Sequence, residues 1–214
     1  MTATDQSIFI VEDDASVRDS LGVLLGLHGY RTQSFVCAED FLRVYQASWA
    51  GCLLLDVRMP GMNGLELQTA LREKRVVLPV IIITAHGDVP TVRASLKAGA
   101  VDFLEKPVDP DALLTAVRAA LDTDAARRQQ ARGAELAEQQ LSTLTARERQ
   151  VLELVAKGSH NREIASALGI SPRTVEVHRA RVMEKLHAQS VSELVHIVLN
   201  ASQPTSEGLS AARE

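Results

Sequence analysis

Short apolar runs alternate with longer amphipathic stretches through the first 121 residues of the chain. The runs have strand length and are Ser7 to Val11, Thr32 to Phe35, Cys52 to Leu55, Val80 to Ile83 and Val101 to Leu104. Candidate helices lie at about 15–27, 38–46, 63–73, 89–98 and 110–121. The runs beginning near residues 8, 52 and 80 are almost continuous in Ile, Val and Leu, which is typical of strands buried on both faces. Five strand-helix units in a row predict an α/β fold with a doubly wound, five-stranded parallel sheet.

The pattern changes after residue 121. Residues 122–142 are rich in Ala, Gln, Arg and Glu, which indicates a solvated helical linker, and Gly133 weakens that helix by about 1 kcal/mol relative to Ala. Residues 143–203 carry four short helical patterns, at 146–157, 161–168, 172–186 and 190–200, and predict an all-α domain. The serines, proline and glycine of residues 204–214 indicate a disordered tail. The chain is therefore expected to form two domains, 1–121 and 143–203.

Helix start signals divide the second half into a compact four-helix module. Thr145 to Glu148 and Ser190 to Glu193 fit capping boxes. Ser171 and Pro172 fit the N-cap and first position of the third helix, and Leu168 to Ile170 supplies a tight connection before it. The second and third helices are therefore predicted to form a helix-turn-helix.

The third helix of this module has two unlike faces at 100° per residue. The face predicted to pack inward carries Val175, Arg179, Val182 and Leu186, with Met183 at its margin. The opposite face carries Arg173, Val177, Ala180, Arg181 and Glu184, a mixture of small, apolar and basic residues suited to a major groove. Thr174, His178 and Lys185 flank it and are candidates for phosphate contacts. The alternative is an ordinary solvated helix, and charge alone does not decide between the two.

The charge distribution separates the two halves. The whole chain has a net charge of -4. Residues 1–121 hold 11 Lys and Arg against 15 Asp and Glu, whereas residues 143–203 hold 8 against 6 and four histidines besides. A basic balance in the second half fits a nucleic-acid partner that the whole-chain sum conceals.

Composition excludes several classes of protein. The chain is 46% hydrophobic and 23% charged, an ordinary globular balance. Its longest apolar stretch, Val76 to Ile83, is too short to cross a bilayer, and its first residues carry no export signal, so a cytoplasmic location is expected. Cys37 and Cys52 are too few for a disulfide framework or a thiolate metal site and are expected to be buried small hydrophobes. Neither a P-loop nor a zinc-protease motif is present in the sequence.

Chemically active residue types follow four of the predicted strands. Glu12, Asp13 and Asp14 follow the first, Asp56 the third, Thr84 the fourth and Lys106 the fifth. The carboxyl ends of parallel strands meet at one edge of a sheet, where ligand sites of this architecture lie. Crowded carboxylates ionise together when they share a cation, and hard oxygen ligands suit Mg²⁺, or Mn²⁺ in its place.

These residues predict a phosphoryl-acceptor site. The Lys106 ammonium and the Thr84 hydroxyl suit phosphoryl oxygens, and the Asp56 carboxylate is the candidate nucleophile. Each has a plainer interpretation: Asp14 is expected to cap the helix that starts near Ala15, Glu12 and Asp13 could do the same, and Lys106 could be a solvated side chain before a proline. The loop of glycines and proline that follows Asp56 argues against a purely structural aspartate.

Residues 7 to about 121 resemble the receiver domain of two-component response regulators, which have a flavodoxin-like fold. The resemblance rests on Glu12-Asp13, on the segments around Asp56 and Thr84, and on Phe103-Leu-Glu-Lys-Pro. It implies Asp56 as the phosphoacceptor, with Asp13, Asp56 and the Arg58 carbonyl as metal ligands and Glu12 acting through water. It also implies that Thr84 and Phe103 form a switch. The chain departs from many receivers in having Glu12 for Asp and Phe103 for Tyr.

Residues 143–203 resemble the LuxR-type DNA-binding domain. The matching segments begin at Leu144, Asn161 and Ser171. Receiver, linker and this domain together resemble FixJ-like transcriptional regulators. Glu176 and Ala180 stand where relatives carry basic residues, so the resemblance leaves the base preferences of this chain open.

The resemblance implies the partners and the mode of action. A sensor histidine kinase would phosphorylate Asp56, and the homodimer that forms would bind paired half-sites on duplex DNA and act on RNA polymerase. The surface expected to form the dimer carries Val89, Val92 and Leu96, in the helix after Thr84, although Val89 and Val92 could be only core residues. On this interpretation the protein is a phosphoacceptor that catalyses its own phosphoryl transfer and not a turnover enzyme.

Two alternatives belong to other functional classes. A phosphohydrolase of the haloacid-dehalogenase kind also places an aspartate nucleophile after a buried strand, but it needs a second acid two residues on, where this chain has Arg58. The other alternative is a receiver whose second domain binds protein or RNA, which the salt dependence of binding to random duplex DNA would distinguish.

Overall fold

The structure is a computed structural model that describes residues 6–85 and 89–201, with the side chains of residues 89, 90, 91 and 94 excepted. The chain divides into two compact units, one ending at Arg127 and the other beginning at Arg128. The tail predicted at 204–214 lies outside the described residues.

The first unit is a parallel sheet with a helix after each strand. Its elements are β1 (Ser7–Val11), α1 (Ala15–Leu27), β2 (Arg31–Phe35), α2 (Ala38–Val44), β3 (Gly51–Asp56), α3 (Gly64–Glu73), β4 (Val80–Thr84), α4 (Val89–Lys97), β5 (Asp102–Glu105) and α5, which begins at Pro110. All four strand pairings are parallel, in the order β2-β1-β3-β4-β5. The predicted doubly wound fold is confirmed.

Burial along the strands explains the apolar runs. Every residue of β3 and β4 is buried, whereas the edge strands β2 and β5 are partly exposed. Successive side chains point to opposite faces and supply two core clusters. One contains Ile8, Leu54 and Ile83 and is covered by α1 and α5, and the other contains Phe9, Leu55 and Ile82 and is covered by α2 and α3.

Helix α5 is a single element of 33 residues, Pro110–Ser142, so the predicted linker continues the last helix of the first unit. Contacts with the sheet extend past residue 121. Gln6 Nε2 donates to the Leu121 carbonyl at 2.9 Å. The fully buried Asp124 accepts the Gly51 N–H at 2.9 Å and pairs with Arg127 at 2.6 Å. The domain end at residue 121 stays a prediction, and these contacts fix a further turn of α5 to the first unit.

The second unit continues with α6 (Ala146–Ala156), α7 (Asn161–Leu168), α8 (Pro172–Lys185) and α9 (Val191–Ala201). Their apolar faces form one core that includes Val151, Ile164, Val175 and Val182. Among the residues described, no helix is both long and apolar enough to span a bilayer.

The helix starts of the second unit follow the predicted caps with one difference. Thr145 and Glu148 form the capping box of α6, and Ser171 caps α8 with Pro172 in its first turn. At α9 the Ser190 hydroxyl accepts the Glu193 N–H, but the Glu193 carboxylate accepts the Gln189 N–H at 2.8 Å. The predicted box at this position is therefore only half formed, because the acidic side chain reaches one residue further back.

Candidate functional sites

Three carboxylates meet at the carboxyl edge of the sheet. Glu12 and Asp13 follow β1, and Asp56 ends β3, which is the neighbour of β1. One ligand oxygen of each lies within 4.8 Å of the others. Glu12 is 2% exposed and Asp56 6% exposed. Parallel pairing therefore brings together acids that are more than 40 residues apart in the sequence, as predicted.

Lys106 joins this acidic group from the end of β5. Its Nζ lies 2.6 Å from Glu12 Oε2 and 2.9 Å from Asp56 Oδ2. Burial disfavours the ammonium, but its hydrogen bonds to Asp56 and Glu12 outweigh that effect and raise the pKa of Lys106. Burial also raises the pKa of Glu12. The ammonium thus pairs with two of the three carboxylates, and the acidic group has more carboxylates than side-chain ion pairs with Lys106.

Thr84 and Phe103 lie on the adjoining strands of the same sheet. Thr84 is buried at the end of β4, and its carbonyl accepts the Lys106 N–H at 2.8 Å. Phe103 is opposite Ile82 in the register of β4 and β5 and is half-buried against the cluster covered by α2 and α3. Since Ile82 and Thr84 point to one face of their strand, Phe103 and Thr84 share a face.

The loop after β1 is held by helix α1. Asp14 caps α1 by accepting the Ser16 and Val17 N–H groups at 2.8 and 3.1 Å, as predicted. Arg18, one turn into α1, donates from a single Nη to the carbonyls of Glu12 and Asp13 at 2.9 and 3.2 Å. Arg18 was not predicted, and its place one turn past a cap was the available signal.

The loop after β3 is tight and is held at several points. Gly64 N–H donates to the Val57 carbonyl at 2.9 Å, and a Cβ on Gly64 would lie 2.2 Å from the Asp56 carbonyl, so glycine is required there. Arg58 N–H donates to Asp56 Oδ1 at 3.3 Å. Glu39 of α2 accepts the Met62 N–H at 2.9 Å, a bond that lowers the pKa of Glu39. Sequence patterns did not reveal this last contact, because it joins α2 to the loop before α3, which is separate from it in the sequence.

The donor set of this edge fits a hard divalent cation. Its acidic ligands are all carboxylate oxygens, which Mg²⁺ and similar ions prefer over soft metals. The negative charge left after pairing with Lys106 would be neutralised by such an ion.

In the second unit, the predicted faces of α8 are arranged as expected. Val175, Val182 and the following Leu186 are buried. The outward face is exposed and carries Arg173, Val177, Ala180, Arg181 and Glu184. Thr174 is half-buried, with its Oγ1 2.8 Å from the Ser171 hydroxyl, and His178 is half-buried.

Several basic side chains of this unit have partners inside it. Lys185 Nζ donates to Glu148 Oε2 at 2.7 Å and to the Thr143 carbonyl at 3.2 Å. This bond from Lys185, with the Thr145 N–H, lowers the pKa of the buried Glu148 to about 2. Arg179 donates to Asn161 Oδ1 at 2.6 Å, and Arg147 donates to the Leu168 carbonyl. A phosphate contact by Lys185 would therefore compete with Glu148, and the predicted contact stays a prediction.

The surface predicted for dimerisation lies on α4. Leu96 is exposed and Val92 is half-buried, whereas the side chain of Val89 lies outside the described residues.

Comparison with known proteins covers nearly the whole chain. Residues 8–118 match the family described as response regulator receiver domain, and residues 142–198 match bacterial regulatory proteins of the luxR family. The transcriptional regulatory protein FixJ of Bradyrhizobium diazoefficiens is 41% identical over 199 residues, which are 92% of this chain and 97% of that protein. The chain belongs to the FixJ-like response regulators. It is thus a two-component response regulator with a receiver domain and a LuxR-type DNA-binding domain.

Other regulators and solved structures are similar to this FixJ-like regulator over almost its whole length. The transcriptional regulatory protein TdiR of Thauera aromatica is 41% identical, covering 96% of this chain and 91% of that protein. Among solved structures, response regulator StyR has a TM-score of 0.80 and 46% identity, covering 92% of this chain and 99% of the other. Full-length FixJ of B. japonicum has a TM-score of 0.58 and 39% identity, covering 95% and 100%.

Family membership settles the main alternatives. A receiver domain implies a sensor kinase as partner, and a LuxR-type domain implies DNA binding. The phosphohydrolase and the protein-binding or RNA-binding output are therefore set aside, and the chain is a FixJ-like transcription regulator.

Proposed function

We propose that Asp56 accepts a phosphoryl group from a sensor histidine kinase or a small acyl phosphate, and that this event controls dimerisation and sequence-specific DNA binding. One observation supports the proposal most strongly. The Lys106 ammonium lies within 3 Å of both Glu12 and Asp56, in a pocket where three carboxylates leave negative charge unbalanced. A charged nucleophile beside an ammonium is what phosphoryl transfer to a carboxylate requires.

Each residue of the pocket has a separate role in the phosphoryl transfer. An Asp56 carboxylate oxygen attacks phosphorus while the bond from phosphorus to the donor breaks, and the electron pair leaves with the donor. Lys106 neutralises charge on the phosphoryl oxygens, and the Thr84 hydroxyl donates to one of them. Asp13, Asp56 and the Arg58 carbonyl would hold Mg²⁺ or Mn²⁺, with Glu12 acting through water, and a bound ion supplies further neutralisation of that charge. The protein thus catalyses its own phosphorylation.

Thr84 and Phe103 form the switch that reads this event. When the Thr84 hydroxyl turns toward the phosphoryl group, it leaves space on the face that it shares with Phe103, and the ring turns inward. The two residues flank α4, on which Val89, Val92 and Leu96 form the dimer surface. A dimer would read two half-sites about one helical turn apart.

The output belongs to the domain at 143–203, which the linker 122–142 joins to the receiver at 1–121. Its DNA contacts are Arg173, Thr174, Val177, His178, Ala180, Arg181 and Lys185. The exposed outward face of α8 supports the base-reading part of this set. Binding to promoter DNA would bring the regulator to RNA polymerase, and its place of action is the cytoplasm.

Intact-mass measurement after incubation with acetyl phosphate and Mg²⁺ tests the phosphoacceptor. Wild-type protein should gain the mass of one phosphoryl group, and Asp56→Asn should gain none. Lys106→Ala should slow the gain by about 100-fold or more, because an ammonium at the reacting oxygens is lost. Lys97→Ala, which removes a lysine at the end of α4, is the matched control and should react like wild type. Equal mass gain in Asp56→Asn would refute the assignment.

DNA contacts are tested by the salt dependence of duplex binding. Lys185→Ala should weaken binding to all sequences and lower the salt slope by about one unit, provided that its ammonium leaves Glu148 in the complex. Arg181→Ala, on the base-reading face, should reduce the discrimination between operator and random duplex. An unchanged slope in Lys185→Ala, or unchanged discrimination in Arg181→Ala, would remove that residue from the set.

A further inference from the structure

Glu39 lies in the first turn of α2, apart from the acidic group, and reaches the loop that follows Asp56. Its Oε1 accepts the Met62 N–H at 2.9 Å. A Cβ on Gly61 would lie 2.9 Å from the same oxygen, so the carboxylate rests directly against the loop backbone. Gly61 has a φ of +74°, a conformation that favours glycine, and glycine also leaves the space that the Glu39 carboxylate fills.

The same loop is fixed differently at its other points. Val57 and Met59 are buried in the core cluster that includes Phe41 of α2. Arg58 N–H donates to Asp56 Oδ1, which ties the start of the loop to the phosphoacceptor. Apolar packing and local bonds therefore hold the first half of the loop, and the contact from Glu39 holds the Met62 end.

We propose that Glu39 is a positioning residue for the cation site, because its carboxylate fixes the Met62 end of the loop whose first half presents the Arg58 carbonyl. The inference rests on the proposed function in taking the Arg58 carbonyl as a ligand. Hydrogen bonds to ionised acceptors are shorter and stronger than neutral ones, so a carboxylate holds the Met62 N–H more firmly than water does. Partners that orient metal ligands without touching the metal contribute substantially to metal affinity.

Asp40 provides a matched control on the same helix. It carries the same charge one residue further along the chain, and its carboxylate pairs with Arg43 at 2.6 Å. Removing Asp40 therefore changes the charge near the site without removing the bond to the loop.

The test is a calorimetric titration of the full chain with Mg²⁺, without a phosphodonor, alongside hydrogen exchange at the Met62 amide. Glu39→Ala should raise the Kd for Mg²⁺ roughly tenfold, at the low end of what such outer partners contribute. It should also speed exchange at Met62. Glu39→Gln keeps an acceptor oxygen but loses the charge, so its exchange rate and its Kd should lie between those of wild type and Glu39→Ala. Asp40→Ala should bind Mg²⁺ like wild type.

Three results would overturn the inference. Equal shifts in Glu39→Ala and Asp40→Ala would show that charge alone matters. Glu39→Gln as weak as Glu39→Ala would show that the hydrogen bond does not matter. Faster exchange at Met62 with unchanged affinity would show that the loop end does not act on the ion. A wild-type chain that binds Mg²⁺ but gains no phosphoryl mass would contradict the proposed function alone.

Discussion

Two lysines of this regulator pair with buried carboxylates, and the difference between them separates an acidic group with surplus carboxylates from a matched ion pair. Lys106 in the receiver pairs with Glu12 and Asp56, and an Asp13 oxygen lies within 4.8 Å of theirs, so one paired lysine serves a group of three carboxylates. Lys185 in the DNA-binding unit faces Glu148 alone and adds a bond to the Thr143 carbonyl. The first arrangement leaves negative charge that a divalent cation would neutralise, whereas in the second the two charges balance each other.

The two lysines also differ in how far their side chains are exposed to solvent. The Lys106 side chain is 16% exposed and that of Lys185 is 36% exposed. The surplus carboxylates therefore lie where water is scarcest, which lowers the stability of the first unit, a cost that proteins tolerate at functional sites. The number of carboxylates around each lysine distinguishes the two sites, whereas the mere presence of an ion pair does not.

Asp124 extends the comparison to a third site, where a buried carboxylate has a matched set of partners. Asp124→Ala should lower the free energy of unfolding of the first unit by about 3 kcal/mol, because it leaves the Gly51 N–H and the Arg127 guanidinium without their acceptor. Trp49, the single tryptophan of the chain, stacks on Phe9 in this unit and reports its denaturation. Asp122→Ala, at an exposed position two residues earlier, is the control and should change little. A similarly small loss in Asp124→Ala would contradict a structural role for the matched pair.

Glu148 should matter for stability in the second unit. Glu148→Ala removes half of a capping box and the partner of Lys185, so the unit should lose roughly 1–2 kcal/mol. Hydrogen exchange along α6 and α8 measures the loss separately from the first unit. Glu153, an exposed acid on α6, provides the control variant Glu153→Ala. If both variants lost equal stability, the Glu148–Lys185 pair and the capping box would have no stabilising role.

The same pair predicts an acid dependence. In the folded protein the pKa of Glu148 is lowered from its ordinary value of 4.5 to about 2. The ionised carboxylate therefore stabilises the second unit fully above pH 4.5, and this stabilisation is lost as the pH falls toward 2. Glu148→Gln should flatten this part of the stability curve of the second unit. An unaltered curve between pH 5 and about pH 2 would show that the carboxylate gains nothing from Lys185.

Removing a carboxylate from the acidic group should not lower the free energy of unfolding, in contrast to the losses expected for Asp124→Ala and Glu148→Ala. Asp56→Asn removes one of three crowded carboxylates, so the free energy of unfolding of the first unit should stay the same or rise by up to about 1 kcal/mol. Denaturation followed at Trp49 measures it. A loss as large as that expected for Asp124→Ala would mean that Asp56 is held as a structural group.

The local pattern of the sequence predicted much of this molecule. Strand and helix limits agree within about two residues over most of the chain, because burial on both faces of β3 and β4 produces unbroken apolar runs. The meeting of Glu12, Asp56 and Lys106 was also predictable, since parallel strands align their carboxyl ends.

Contacts between separate elements could not be predicted from periodicity. Glu39 reaches Met62 across 23 residues, and Asp124 reaches Gly51 across 73. A glutamate or an aspartate in a helix does not indicate which distant backbone N–H its carboxylate will accept. The length of α5 was missed for another reason: composition indicated a helical linker, but nothing in residues 110–142 required the two helical stretches to be one, and Gly133 lies within it without ending it.

The acidic group of the first unit carries negative charge that a divalent cation would neutralise, whereas the Glu148–Lys185 pair of the second unit is balanced. Hydrogen exchange of the full chain with and without Mg²⁺ separates the two, since an ion that binds only the folded state stabilises the unit that holds it. We expect slower exchange in the loops after β1 and β3 and no change around Glu148 and Lys185. Equal protection of both regions, or none in either, would contradict this expectation.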